Sequence, residues 1–392
     1  MSSSKFDIVV YGATGFTGQL VAEYLATHYK GDAELKWAMA GRSKDKLASV
    51  RDAIGAAADT PLIVADASDV ASLKAMVAQT KSVISTVGPY QLYGNELLAA
   101  CVEAGVDYLD LCGEPIWMRQ MIDKHEAAAK ASGARILFSC GFDSVPFELG
   151  TFFAQEEARR VFGAPVSRVK GRVRDMRGTL SGGTAASAKA TFDAISKDLS
   201  LVAILNNPFA LTPGFEGAKQ PRGNRPMYED DLQSWAAPFM MALINTRNVH
   251  RSNMLMGYPY GKEFVYDEMV LTGQGEKGEA NARRVMAANA EKTGPNAPKP
   301  GEGPSKEERE SGLYDLLYVA IAPDGRKVRA AIKGDRDPGY GSTSKMISEC
   351  AICLLRDAPE VPAGFWTPGA AMQTKLIKRL VDHAGLTFEV EK

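Results

Sequence analysis

The sequence predicts an α/β protein: a doubly wound parallel sheet first, a second α/β domain with a mixed sheet next, and a C-terminal helical segment. Three observations carry this. The apolar run Ile8-Val9-Val10 flows into Gly12-x-x-Gly15-x-x-Gly18, the pattern of a buried parallel strand turning sharply into a helix. Five more strand-like runs alternate with helical ones up to Cys140. From about Val166 the rhythm changes, and Ser167 to Arg177 alternates like a strand of a different sheet.

The first turn, Gly12, Ala13, Thr14, Gly15, Phe16, Thr17 and Gly18, is the element against which the others are placed. Glycines let the backbone turn and let a phosphate approach the first helical amides without meeting a Cβ. Leu20, Val21, Tyr24 and Leu25 mark the inner face of the helix that follows. Glycine spacing alone also fits a structural turn, and the next strand decides for a dinucleotide. That strand, Leu35 to Ala40, ends in Gly41-Arg42-Ser43-Lys44. A carboxylate here would bond the ribose 2′-hydroxyl of NAD, whereas Arg42, with Ser43 and Lys46, would bind a 2′-phosphate. The cofactor expected is therefore NADP(H), and the competing reading makes Arg42 a solvated helix-capping residue.

The remaining elements have their own punctuation. Ser43 starts a helix with Leu47, Val50 and Ile54 inside. Leu62 to Ala65 is a third strand ending in Asp66, placed beside adenine or its ribose or serving as a turn residue, and Ser68 caps the next helix. Lys81 to Val87 is a fourth strand that breaks at Gly88-Pro89-Tyr90, where a reversal of strand order would face the nicotinamide half. A helix closes at Gly105, Asp107 to Leu111 is the fifth strand, and a helix runs from Pro115 to Gly133. Arg135 to Cys140 is the sixth strand and enters Gly141-Phe142-Asp143-Ser144-Val145-Pro146. Asp143 and Ser144 are site candidates there, or caps of the helix that follows.

In the second domain, Gly178 to Thr184 is another glycine-rich entry into a helix, suited to an anion or to a tight turn. Arg172 and Arg174 share one strand face, Arg177 the other, and all three are expected at the surface. Asn206 to Arg225 is a long loop. Trp235 to Ile244 and Met254 to Tyr260 are domain core or the wall of a pocket for an apolar substrate, with Met254 and Met256 as its adaptable lining. Gly294 to Gly312, with Pro295, Pro298, Pro300 and Pro304, reads as an exposed loop, and Pro323-Asp324-Gly325 as the turn of a hairpin. Gly334 to Thr343, holding Asp335, Arg336, Asp337 and Tyr340 before a helix, reads as ligand-facing. The expected boundaries are residues 1–160, 161–345 and 346–392, the last packing back on the first.

Composition bounds the function. With 45% hydrophobic and 24% charged residues the chain can fill globular cores. A net charge of −1 points to neither nucleic acid nor an anionic membrane. No leader-like segment and no apolar run of membrane length is evident, so a cytoplasmic location is expected. The five cysteines form no disulfide framework or metal pattern, and buried thiols are expected at Cys350 and Cys353.

Taken together, Tyr11 to Gly18, Ala40-Gly41-Arg42, Val87-Gly88-Pro89-Tyr90, Gly141 to Pro146, Gly334 to Tyr340 and Trp366-Thr367-Pro368 resemble the saccharopine dehydrogenase-like oxidoreductases. Within them the chain is most similar to the trans-acting enoyl reductases of bacterial lipid biosynthesis. The resemblance implies a Rossmann domain, an inserted α/β domain and NADPH-dependent reduction of a lipid- or polyketide-like double bond. Two other readings stay open: a saccharopine-type dehydrogenase acting on an amino-acid imine, and a catalytically silent NADP-binding scaffold or sensor. By position, Tyr90, Asp143 and Tyr340 are the proton-donor candidates. The partner expected is a small, apolar substrate, with a homo-oligomer left open.

Overall fold

The computed structural model describes residues 4–178, 182–291 and 302–392. Six parallel strands come first: β1 Phe6–Tyr11, β2 Trp37–Gly41, β3 Leu62–Val64, β4 Thr80–Ser85, β5 Asp107–Asp110 and β6 Arg135–Leu137. They lie in the order β6-β5-β4-β1-β2-β3, which reverses between β1 and β4. Such a reversal opens a crevice at the carboxyl ends of the strands, between the loops that leave β1 and β4. Ile8, Val9 and Val10 are fully buried because helices cover both faces.

Helix boundaries follow local chemistry. Ser43 Oγ accepts from the Lys46 amide and starts helix Lys44–Ala53. Helix Pro115–Ser132 opens on its proline and closes at Gly133, whose φ is +94°. The third helix differs from expectation: Asp69, not Ser68, caps Val70–Val77 by accepting from the Ala71 and Ser72 amides, while Ser68 turns back to Asp66.

The second sheet is mixed. It is built from β7 Arg168–Arg177, β8 Met227–Glu229, β9 Ser234–Pro238, β10 Val265–Gly273, β11 Leu313–Ile321 and β12 Lys327–Gly334. The expected hairpin is β11 with β12. The inner face carries Tyr266, Tyr314, Leu316 and Tyr318, all buried, and helix Val145–Phe162 crosses it. The other face corrects the surface placement of Arg172 and Arg174. Arg172 is 2% exposed, bound to Glu229 and to Asp267, and Arg174 is paired with Asp315 and Glu391. Alternation on β7 put the arginines on one face correctly; their partners on β8, β10 and β11 are far away in sequence.

Residues 346–392 are not helix alone. Two short strands, β13 Gly364–Trp366 and β14 Leu386–Glu391, extend the first sheet beside β6 and the second beside β12. Between the layers, helix Thr343–Ile352 packs along helix Phe16–His28. Buried Glu349 accepts from Tyr24 at 2.6 Å and Tyr29 at 2.7 Å and pairs with Arg379 at 3.0 Å, so the tail is pinned to the first helix. All five cysteines are buried and free. Among the described residues no helix is long and apolar enough to cross a membrane. Thr179, Leu180 and Ser181 of the second glycine-rich run, and residues 292–301 of the proline-rich loop, lie outside the described residues.

Candidate functional site

The glycine turn has the shape of a phosphate cradle. Gly12 has φ of +90°, and a Cβ there would lie 2.7 Å from Thr86 Oγ1 and Val87 Cγ2. A Cβ on Gly18 would stand 2.1 Å from the Gly12 carbonyl oxygen, so helix and strand can touch only because Gly18 lacks a side chain. Gly15 differs: its Cβ would meet only Gly12 O, at 3.3 Å, and otherwise face open space. The Gly12 and Ala13 amides donate to Ala40 O and the Gly15 amide to Gly12 O. Helix Phe16–His28 starts after Gly15 without any side-chain cap, which leaves its first amides, from Phe16 through Thr17 to Gly18, for an anion. Thr14 takes a hydrogen bond on its carbonyl from Gln19 Nε2 at 3.0 Å. These residues fit a dinucleotide pyrophosphate.

The residues expected to read the ribose stand at the close of β2. Arg42 is exposed and, among the described residues, forms no hydrogen bond or ion pair. Lys46 is exposed beside it, and the Ser43 hydroxyl keeps its own proton for donation while it caps the helix. Asp66 accepts from the Ser68 amide at 2.9 Å and hydroxyl at 2.8 Å. Those bonds, and more weakly Arg42, hold its carboxyl below its ordinary range. Tyr11, a residue the sequence reasoning passed over, completes the group. Burial first, then Asp66, pushes its hydroxyl to about 12, with Arg42 opposing. Its position as the last residue of β1 was the available signal.

Where the sequence expects the nicotinamide half, Gly88 is exposed and Pro89 buried at the turn out of β4. Tyr90 is 5% exposed, and its hydroxyl donates to Ser85 O and accepts from the Leu111 amide, both at 3.1 Å. Burial pushes that hydroxyl well above its ordinary value, so its proton stays within the fold. Sequence reasoning also missed Glu114, at the end of the β5 loop. It accepts the Tyr90 and Gln91 amides, each at 2.9 Å, and the Ser187 hydroxyl at 2.8 Å. A carboxylate flanked by Gly113 and Pro115 after a strand is the pattern that marks it.

Asp143 sits in the loop after β6. The residue as a whole is partly exposed, yet its Oδ1 is enclosed and has no hydrogen-bond partner. The enclosed oxygen governs its protonation, and burial raises the carboxyl from 3.8 to about 7. Ser144 precedes helix Val145–Phe162 without capping it through its side chain; its Oγ accepts instead from Asn248 Nδ2 at 2.9 Å.

Tyr340 lies on a π-helical turn, Pro338–Ser342, that Asp337 caps by accepting from the Tyr340 and Gly341 amides. Its ring meets Phe16 edge-on with centroids 5.2 Å apart, and its hydroxyl is 3.2 Å from Thr184 Oγ1. The second domain thereby touches the glycine turn, whereas Asp335 and Arg336 stay with Lys345 and each other at the surface. A groove of about 610 Å³ lies elsewhere, lined by Arg174, Leu271, Thr272, Asn281 and Arg284, and includes none of the residues expected to meet the cofactor.

Comparison with known proteins agrees with this geometry. Residues 8–137 match the saccharopine dehydrogenase NADP binding domain. A provisionally named trans-acting enoyl reductase of Mycobacterium tuberculosis is 39% identical over 99% of this chain and 98% of its own. The trans-acting enoyl reductase of Mycobacterium ulcerans is 34% identical over 97% of each. The fold is shared with apo saccharopine dehydrogenase (L-Glu forming) of Saccharomyces cerevisiae, at a TM-score of 0.55 and 11% identity over 99% of this chain and 100% of that one. The chain therefore belongs to the saccharopine dehydrogenase-like oxidoreductases, together with relatives named trans-acting enoyl reductases, and is an NADP(H)-dependent oxidoreductase.

Proposed function

We propose that this enzyme reduces the C=C bond of an enoyl thioester with an apolar, lipid- or polyketide-like chain. The observation that carries the reading is Asp143: an enclosed carboxyl at a strand-end loop, holding its proton near neutral pH and bonded to nothing else. When bound, the reduced nicotinamide supplies a hydride to carbon. The protein supplies the rest. Amides from Phe16 to Gly18 hold the pyrophosphate, Arg42 with Ser43 and Lys46 the 2′-phosphate, and Asp66 with Tyr11 borders the adenosine. Gly88 and Pro89 shape the nicotinamide wall. Asp143 gives the proton to the neighbouring carbon; Tyr90 keeps the Ser85 and Leu111 loops in place, and Tyr340 closes Phe16 over the cradle. Residues 1–160 form the cofactor unit and 161–345 the substrate unit, with 346–392 shared between them.

The enoyl reading draws support from the relatives' names and from the arginines. Arg172 and Arg174 are committed to carboxylates of their own sheet, and Arg251 to the carbonyls of Leu211 and Phe365. A substrate amino acid would need such groups free. The test is NADPH oxidation with dodecenoyl-CoA, with saccharopine as the rival substrate. Asp143→Asn is expected to lower kcat by about 10²- to 10⁴-fold, the usual share of a general acid, with NADPH affinity unchanged. Turnover of saccharopine without turnover of the thioester would overturn the reading.

A further inference from the structure

Helix Ala242–Leu255 is buried along most of its length, yet the face it turns inward is polar. Asn245 Nδ2 donates to Glu268 Oε2 at 3.0 Å, and one turn later Asn248 Nδ2 donates to Ser144 Oγ at 2.9 Å. Residues three apart on a helix are neighbours, about 5 to 6 Å between Cβ atoms. That single turn therefore brackets Glu268 of β10 on one side and the Asp143-Ser144 loop on the other.

Four carboxyl and amide oxygens in this place, Asp143 Oδ1, Glu268 Oε1, Asn245 Oδ1 and Asn248 Oδ1, are enclosed and lack a partner at hydrogen-bond geometry, as does the Tyr266 hydroxyl, which faces Glu268 and interacts with it. Buried polar atoms are rarely left so, and a cluster of them marks a chamber that holds water or a substrate's polar end. No cation enters it. Neither Asp143 nor Glu268 forms an ion pair among the described residues. The cations of the same helix are held elsewhere: Arg247 by the carbonyls of Leu243 and Leu205, Arg251 by those of Leu211 and Phe365. His250 packs against Phe209 with the two rings tilted by 57°. The titratable groups that face Glu268 are Asp143 from the loop, Tyr266 from its own strand and Tyr318 from β11, and its neighbour Asp267 points to the opposite sheet face.

We propose that Glu268 is a positioning residue for the proton, resupplying Asp143 across the chamber after each turnover. The inference rests on the reading of Asp143 as proton donor. In each cycle the C=C bond is reduced as hydride from NADPH reaches one carbon and the Asp143 proton the other. Asp143 is left as a carboxylate, the Glu268 proton passes to it through the chamber, and Glu268 recovers a proton from solvent. One NADPH and one proton are consumed. Burial raises the Glu268 carboxyl to about 8, so it still carries a proton when Asp143, at about 7, has lost its own. The transfer itself runs about tenfold uphill, one pKa unit, and reprotonation of Glu268 from solvent draws it forward.

Glu268→Gln preserves shape and keeps an oxygen for Asn245. Carboxyl bands followed by difference infrared spectroscopy in the full chain without substrate should show Glu268 ionising at a lower pH in Asp143→Asn than in wild type, because the Asp143 carboxylate that faces it has gone. With NADPH and dodecenoyl-CoA, the alkaline limb of kcat in Glu268→Gln should move to lower pH, since the group that still holds a proton above the Asp143 range is gone, and the plateau should fall less than in Asp143→Asn, with KM unchanged. A Glu268 titration in Asp143→Asn identical to wild type would overturn the proposal. If thioesters are not turned over at all, the infrared shift still reports whether the carboxyls share one chamber, so the two failures are distinguishable. Should Asp143→Asn not fold, Glu268→Gln decides alone: an alkaline limb of kcat unmoved from wild type overturns the proposal equally.

Discussion

The Ser187 hydroxyl donates to Glu114 Oε1 at 2.8 Å, and with that bond a helix of the second domain is tied to a strand-end loop of the first. Gln91 Nε2 adds a second tie, to Thr191 Oγ1 at 3.1 Å. Helix Gly182–Lys197 buries almost nothing of its own, and Phe192 on it is 64% exposed. Polar contacts rather than packing hold it beside Gly88 and Tyr90, which makes Glu114 the organiser of the turn that leaves β4.

Arg42 supplies the first prediction. A free guanidinium at the end of β2 is available for a 2′-phosphate, and a charge-assisted bond is worth roughly 1.5 to 3 kcal/mol. Arg42→Ala should weaken NADPH by about ten- to a hundred-fold and leave NADH nearly unchanged. Titration of both cofactors by calorimetry checks this; equal weakening of the two would assign Arg42 to the fold or the adenine instead.

The glycines should separate into two kinds. Gly15 has an extended backbone that any residue adopts, so Gly15→Val should fold and lose NADPH binding, since its side chain occupies the cradle. Gly12→Ala forces a Cβ against Thr86 and Val87 at a φ of +90° and should cost about 1 to 3 kcal/mol of stability. Urea melts and cofactor titration on both variants tell them apart. Normal NADPH binding by folded Gly15→Val would remove the pyrophosphate from this turn.

Stability should fall as pH rises through neutrality. Burial raises Glu148 from 4.5 to about 8, Glu268 equally, and Asp110 and Asp143 from 3.8 to about 7. A folded-state value above the unfolded one means the fold keeps protons that the unfolded chain gives up. The stabilisation is then complete below the unfolded values and is lost as pH climbs through about 7 to 8. Urea midpoints measured across this range should decline, and Glu148→Gln should flatten the slope. A midpoint that rose with pH would mean these carboxyls are ionised inside the fold.

The Rossmann half was legible because each of its strands ends in punctuation close by in sequence: Gly12 after β1, Gly41 in β2, Gly88-Pro89 after β4, Gly141 after β6. Helix Ala242–Leu255 was not. Asn245, Asn248 and Ser252 drew no reading, because their partners Glu268, Ser144 and Glu148 arrive from 23 to 104 residues away. The ion pairs of Arg172 were hidden for the same reason. Strand β13 has three residues and no period to detect, and its place beside β6 is set by tertiary contact alone.

Because β13 covers the edge of β6 and β14 the edge of β12, the last stretch of chain works as a clasp on both layers. During synthesis neither sheet can be finished until residues 364–391 have emerged, although every other strand is already available. Loss of that stretch would bare two strand edges at once, and bare edges recruit other chains. The two layers are thus bound to a shared fate: they should unfold in one transition, and a cut ahead of Gly364 should send both toward aggregation.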